Sequence, residues 1–203
     1  MTFPYYIEHI PSVNENFKNL SSDVFIFKGE KNNYVYDVGN GGDALKRLNE
    51  IENKIAIISH FHHDHIMNID KCKWVEVYGG RLTKICILQG TVIEDELIIN
   101  DGITLRAYYL RNSHAKDFLV LECGDYLFLS DSIYCTVIDG KRVYNATLLK
   151  EQIDALEKSC AKYFVVSHDD KLIYEKSEII DKLKSIYKRR NPKLPYIPEE
   201  AEC

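Results

Sequence analysis

Two apolar runs in this chain end in the same dipeptide. KIAIISH closes at His60 and KYFVVSH closes at His168. A short, continuous apolar run bounded by polar residues reads as a strand buried on both faces. Each run also follows an amphipathic helical pattern. DALKRLNEIE (43–52) puts Leu45, Leu48 and Ile51 on one face, with Asp43 as the expected N-cap. TLLKEQIDALEKSCA (147–161) aligns Leu148, Leu149, Ile153, Leu156 and Cys160, with Thr147 as the expected cap. Strand patterns precede both helices. DVFIFKG (23–29) and NNYVYDVG (32–39) form a hairpin pattern. Residues 86–134 (CILQGTVI, ELIIN, ITLRAYYLR, DFLVLECG, YLFLSDSIY) read as an antiparallel meander, with turns at Asn100–Asp101–Gly102 and Gly124–Asp125. WVEVYG (74–79) is one more strand, and SEIIDKLKSIYKRR (177–190) a last helix capped by Ser177. The two halves match in kind, which fits two sheets sandwiched between helices. The expectation is one domain over 1–203, with 191–203 an irregular tail or an extended strap.

Composition narrows the setting. Hydrophobic residues make up 45% and charged residues 28%, the balance of a soluble globular chain. No apolar run reaches the roughly 18 residues that span a bilayer. The opening MTFPYYIEHIPSVNENF lacks a basic segment followed by an apolar one, so a cytoplasmic home is expected. Cysteines at 72, 86, 123, 135, 160 and 203 form no CxxC pair and are read as reduced thiols, with Cys86, Cys123 and Cys160 as small core residues. The net charge of −5 argues against a nucleic-acid partner, since such partners need phosphates neutralised by Lys and Arg. The basic cluster from Lys182 to Arg190 reads as the solvated face of a helix. A small-molecule substrate is left as the expected partner.

The chemistry concentrates in SHFHHDH (59–65), which holds four of the seven histidines. Histidine is the commonest metal ligand. If the strand runs on extended, His60 and His62 point one way while Phe61 and His63 point the other. Two imidazoles two residues apart can then share one ion. Asp64 and His65 follow where the chain starts to coil, and side chains fanning out from a turn suit two ions better than one. His63 is left facing away. Further donors come from His114, Asp131 and His168, each in a loop just past a strand's end. A chance H-x-H-x-D-H is on the order of 10⁻³ in such a chain.

HFHHDH at 60–65 resembles the H-x-H-x-D-H motif of the metallo-β-lactamase superfamily. The resemblance extends along nearly the whole chain, through Asp37 in YVYDVG, His114 in RNSHAKD, Asp131 in YLFLSDSIY and His168 in VVSHDD. It implies an α/β four-layer αββα sandwich with the site at one edge between the sheets. It also implies that His60, His62 and His114 hold a first metal, that Asp64, His65 and His168 hold a second, that Asp131 bridges the two, and that Asp37 orients the ligands. Nitrogen and carboxylate donors suit Zn²⁺, with Fe or Mn as substitutes. The family's middle histidine usually stands in Gly-His-Thr and its last in Gly-His. Here the contexts are Ser113–His114–Ala115 and Ser167–His168.

The function this implies is dinuclear metal-dependent hydrolysis, with hydroxide shared between the metals attacking an ester, thioester or lactone carbonyl. Asp64 would orient the hydroxide. Tyr134, three residues past Asp131, is the nearest candidate acid for the leaving group. The aspartate at 131 sets the chain apart from the family's β-lactamases, and His62 sets it apart from flavodiiron proteins, which carry Glu there. Three alternatives use the same fold: a phosphodiesterase on a small or cyclic phosphodiester, a mononuclear iron oxygenase on a sulfur substrate, and a non-enzymatic binding module. Loops 29–33, 75–85 and 133–146 are expected to shape the substrate pocket.

Overall fold

The computed structural model describes residues 3–13 and 20–200. Cys203 and the end of the tail lie outside the described residues. Strand alternation decides the layering. In β2 (Val24–Lys28), Phe25 and Phe27 face a second sheet while Val24 and Ile26 face helix α1 (Gly42–Glu50). Both faces are buried, which is why the run carries no hydropathy alternation.

The first sheet runs in the order β1 (Ile7–Ile10), β2, β3 (Asn33–Tyr36), β4 (Lys54–Ile57), β5 (Glu76–Gly79), β6 (Thr91–Val92). Its first two pairings are antiparallel and the rest parallel. A one-turn helix, α2 (His63–Ile66), follows β4, and α3 (Arg81–Ile87) follows β5. The chain then folds as β7 (Glu96–Asn100), β8 (Thr104–Tyr109), β9 (Leu119–Cys123) and β10 (Tyr126–Ser130), each antiparallel to the one before within the sheet. A short hairpin, β11 (Thr136–Ile138) and β12 (Lys141–Asn145), leads into α4 (Ala146–Lys158). β13 (Tyr163–Val166) returns parallel to β10, β14 (Ile173–Glu175) pairs antiparallel with β13, and α5 (Lys176–Lys188) follows. β15 (Tyr196–Pro198) pairs with β12, so the segment after α5 is pinned to the small third sheet.

Three apolar layers hold this αββα sandwich together. Leu48 and Ala44 of α1 pack on the outer face of the first sheet, and Leu149, Ile153, Leu183 and Ile186 of α4 and α5 pack on the outer face of the second. Between the sheets, Phe128 meets Phe25 at 4.8 Å and Phe27 at 5.0 Å, both edge-on. The parallel pairs β3–β4 and β10–β13 have the consequence that matters for function. Parallel neighbours end side by side, so Asp37, His60, Asp131 and His168 all emerge at one edge, just past the carboxyl ends of their strands.

Several local expectations need correction. CILQGTVI is not a strand: α3 runs to Ile87, Leu88 leaves it in the left-handed region, and only Thr91–Val92 pairs. Cys86 and Cys160 are exposed, whereas Cys123 and Cys135 are buried. α1 is capped by Gly41, with Asp43 in its first turn. Asn145 caps α4, its Oδ1 accepting from the amides of Thr147 and Leu148 at 3.0 Å each. α5 starts before Ser177, where the Glu175 amide donates to Glu178 Oε2 at 2.8 Å. Among the described residues no helix is long and apolar enough to cross a membrane.

Candidate metal centre

Strand β4 delivers Ser59 and His60 fully buried at the sheet edge. The chain stays extended through His62, the N-cap of α2, and one helical turn then presents Asp64 and His65 inward while His63 faces solvent. His62 Nδ1 lies 2.9 Å from His60 Nε2 and 3.0 Å from His114 Nε2. Beside this trio, His168 Nε2 lies 2.9 Å from Asp64 Oδ2, and His65 Nε2 lies 3.3 Å from both Asp64 Oδ2 and Asp131 Oδ2. The two groups, His60/His62/His114 and Asp64/His65/Asp131/His168, each gather their donor atoms within 4.8 Å of one another. Asp131 Oδ2 joins them, at 3.5 Å from His114 Nε2 and 3.9 Å from His168 Nε2.

Hydrogen bonds behind the histidines decide which nitrogen faces inward bare. Asp37 Oδ2 accepts from His65 Nδ1 at 2.9 Å, from Ser59 Oγ at 2.8 Å and from Ser130 Oγ at 3.0 Å, while Oδ1 accepts from the Ser59 amide at 2.8 Å. Ser59 has spent its one proton on Asp37, so at 2.9 Å it accepts from His60 Nδ1. The carbonyl of Cys135, which can only accept, faces His114 Nδ1 at 3.4 Å. His60 and His114 therefore turn a bare Nε2 lone pair toward the centre, and His65, held through Nδ1 by Asp37, presents its Nε2 there. His65 Nε2 and Asp131 Oδ1 are buried with no hydrogen-bond partner. Crowded lone pairs and carboxylate oxygens repel one another, and the chemistry of this donor set fits divalent cations.

Electrostatics agree. Burial and the neighbouring imidazoles push His60 well below its usual range, and burial together with His114 pushes His62 down to about 4. Burial likewise lowers His114. The first trio is thus neutral at pH 7, the form that ligates. Burial opposes ionisation of Asp64, but the hydrogen bond from His168 and the nearby His65 ring outweigh it and hold the carboxyl below its usual range. At His65, burial is outweighed by Asp37 and Asp131, which raise its affinity for a proton. A cation beside Nε2 can take that proton's place.

No family model and no curated protein matches this chain. Solved structures do. A metallo-β-lactamase from Pontibacter korlensis superposes with a TM-score of 0.72 at 16% identity, over 94% of this chain and 98% of that one. An archaeal metallo-β-lactamase superfamily protein from Sulfolobus tokodaii gives 0.60 at 17% identity, over 91% and 87%. A flavo-di-iron protein from Thermotoga maritima gives 0.67 at 16% identity, over 84% of this chain and 53% of that one. This chain has the metallo-β-lactamase fold. At such identities the likeness carries the fold alone. Within it, all seven donors expected from the sequence converge on the edge where the two sheets meet, and Asp37 stands behind them.

Tyr134 is not arranged as an acid. Its hydroxyl donates to the Ser167 carbonyl at 2.5 Å, and burial with Asp131 nearby raises its pKa, so its proton is held on the backbone that carries His168. One of the loops expected to line the pocket is elsewhere: Gly29–Asn32 turns at the far end of β3 from Asp37, held by Asp101. Of 75–85, Glu76–Gly79 is β5 and residues 81–85 open helix α3, whose start touches Asp117 of the loop carrying His114. Sequence reading passed over four supports: Asp23, Asn68, Gln152 and the Ser59/Ser130 pair. Asn68 Oδ1 accepts from the Gly41 amide at 2.7 Å and its Nδ2 donates to the Val38 carbonyl at 2.9 Å, tying the Asp37 loop to α2. Gln152 Nε2 donates to the Ser132 carbonyl at 2.8 Å, beneath the Asp131 loop. A polar residue inside an apolar helical stripe was the available signal for Gln152.

Proposed function

We propose that this protein is a dinuclear metal-dependent hydrolase acting on an ester, thioester or lactone. The reading rests on Asp131, whose single oxygen Oδ2 approaches a donor of each group, 3.3 Å from His65 Nε2 and 3.5 Å from His114 Nε2. His60, His62 and His114 would hold one ion, Asp64, His65 and His168 the other, with Asp131 shared. When bound, two such cations, Zn²⁺ being the best match to the donors, supply Lewis acidity and lower the pKa of water between them. Asp64, kept ionised beside His168 and His65, would be the acceptor that orients a water there. Phe118 stacks on the His60 ring at 4.6 Å and keeps bulk water from that side. Asp37 fixes the tautomer of His65 directly and that of His60 through Ser59. A small-molecule substrate is the partner this reading expects, and the unpaired thiols of the five described cysteines suit a reducing, cytoplasmic setting.

Hydrolysis of p-nitrophenyl esters and thioesters, set against bis-p-nitrophenyl phosphate, tests the reading. Ester turnover that is abolished by chelation, restored by zinc and lost in His62→Ala and Asp131→Ala supports it. Preference for the phosphodiester moves the assignment to a phosphodiesterase with the same centre. The likeness to a flavo-di-iron protein supports a second reading, iron in place of zinc on the same donors. Metal analysis after anaerobic purification separates the two.

A further inference from the structure

We infer that Asp23 is a positioning residue that sets His168 in the second metal group, the whole inference resting on the dinuclear reading above. This buried carboxylate turns one oxygen to the His168 peptide and anchors itself by the other. Asp23 Oδ2 accepts from Ser167 Oγ at 2.9 Å and from the His168 amide at 2.9 Å. The Asp23 amide donates back to Ser167 Oγ at 3.0 Å, so the contact is reciprocal. Asp23 Oδ1 is held from the other side by His9 Nε2 at 2.6 Å and the Ser12 amide at 3.1 Å. The His9 ring is in turn stacked on Phe25 at 5.0 Å. One residue earlier, the Ser22 amide donates to the Asp64 carbonyl at 3.0 Å. The dipeptide Ser22–Asp23, entering β2, thus grips the backbone of two donors of one group, Asp64 and His168, which are themselves 2.9 Å apart.

His168 needs such a grip. Its φ is 59°, in the left-handed region that a non-glycine residue adopts only when its surroundings impose it. The Asp23 bond to its amide and the Tyr134 bond to the preceding carbonyl at 2.5 Å fix the peptide before it, and the Ser167 amide bond to the Ser130 carbonyl at 3.1 Å fixes the one before that. Of the three, only Asp23 binds residue 168 itself. Its grip reaches the second group and leaves His60, His62 and His114 untouched.

Zinc alone, titrated against a competing chelator into metal-free protein, reads the two sites separately. Wild-type protein takes up two ions. In Asp23→Ala the second ion binds roughly 10–100-fold more weakly while the first is unchanged, the usual loss when a ligand's supporting hydrogen bond is removed. Asp23→Asn keeps an acceptor for the His168 amide but loses the one facing the Ser12 amide, so the second ion should bind between wild type and Asp23→Ala. Should Asp23→Ala fail to fold, Ser167→Ala carries the test, with selective weakening of the second ion as the supporting result. Two ions bound with wild-type affinity in Asp23→Ala or in that substitute overturn the inference, as does an equal loss of both ions. Wild-type protein that binds no zinc overturns the dinuclear reading and this inference with it.

Discussion

At the residue scale, the histidines of SHFHHDH divide by what stands behind them. His60 leans on Ser59 and His65 on Asp37, while His63 is exposed and has no place in either donor group. His63→Ala should therefore keep both ions and change stability by no more than about 0.5 kcal/mol, as surface substitutions do; metal content and a melting curve check it. Tyr134→Phe removes a donor from the buried Ser167 carbonyl and should cost roughly 1–3 kcal/mol of stability. Turnover should fall less than about tenfold, with the pH profile unchanged, because no essential acid is lost. A hundredfold fall confined to poor leaving groups would restore Tyr134 as the acid. The seven donors were legible because period-two spacing and the loops past strand ends constrain them tightly. Asp23 was not, because nothing local ties residue 23 to residue 168; the contact spans 145 positions and exists only once β2 and β13 are in place.

At the element scale, most strands of the two large sheets were readable from apolar runs and turn residues, the edge strands Ile7–Ile10 and Ile173–Glu175 excepted, and the Gly124–Asp125 turn closes β9 on β10 as expected. What was missed has a physical reason. Thr136–Ile138 and Lys141–Asn145 are short strands whose only buried residues are Val143 and Tyr144, too few for an alternation to show, and Tyr196–Pro198, within the expected strap, places only Ile197 in the core. Helix α3 shows a different coupling. A Cβ on Gly80 would meet the Asp117 carbonyl oxygen at 2.6 Å, and the Leu82 amide donates to Asp117 Oδ2 at 3.2 Å. The loop carrying His114 is thus seated on the start of α3. Gly80→Ala must displace that loop, at a cost of about 1–3 kcal/mol. Metal-dependent turnover should drop along with the melting temperature; an unchanged melting temperature and rate would show the loop to be independent of α3.

At the scale of the whole molecule, the site straddles the seam of the sandwich. Asp37, His60, Asp64 and His65 come from the first sheet and its connections, His114, Asp131 and His168 from the second. Ions held across that seam would bind the folded chain alone and so stabilise it. Each ion present at about 1,000 times its dissociation constant adds about 4 kcal/mol. For a chain of this size that is a shift on the order of 10 °C in melting temperature, lost on chelation and regained with zinc. Calorimetry of the metal-free and zinc-loaded protein measures it.

The most direct test is the number of ions per chain in protein purified without chelator, counted by elemental analysis for the wild type and for Asp131→Ala. Two divalent ions in the wild type, and fewer than two once the shared carboxylate is gone, is the predicted result. One ion or none in the wild type, or two ions undisturbed in Asp131→Ala, contradicts a centre bridged by Asp131.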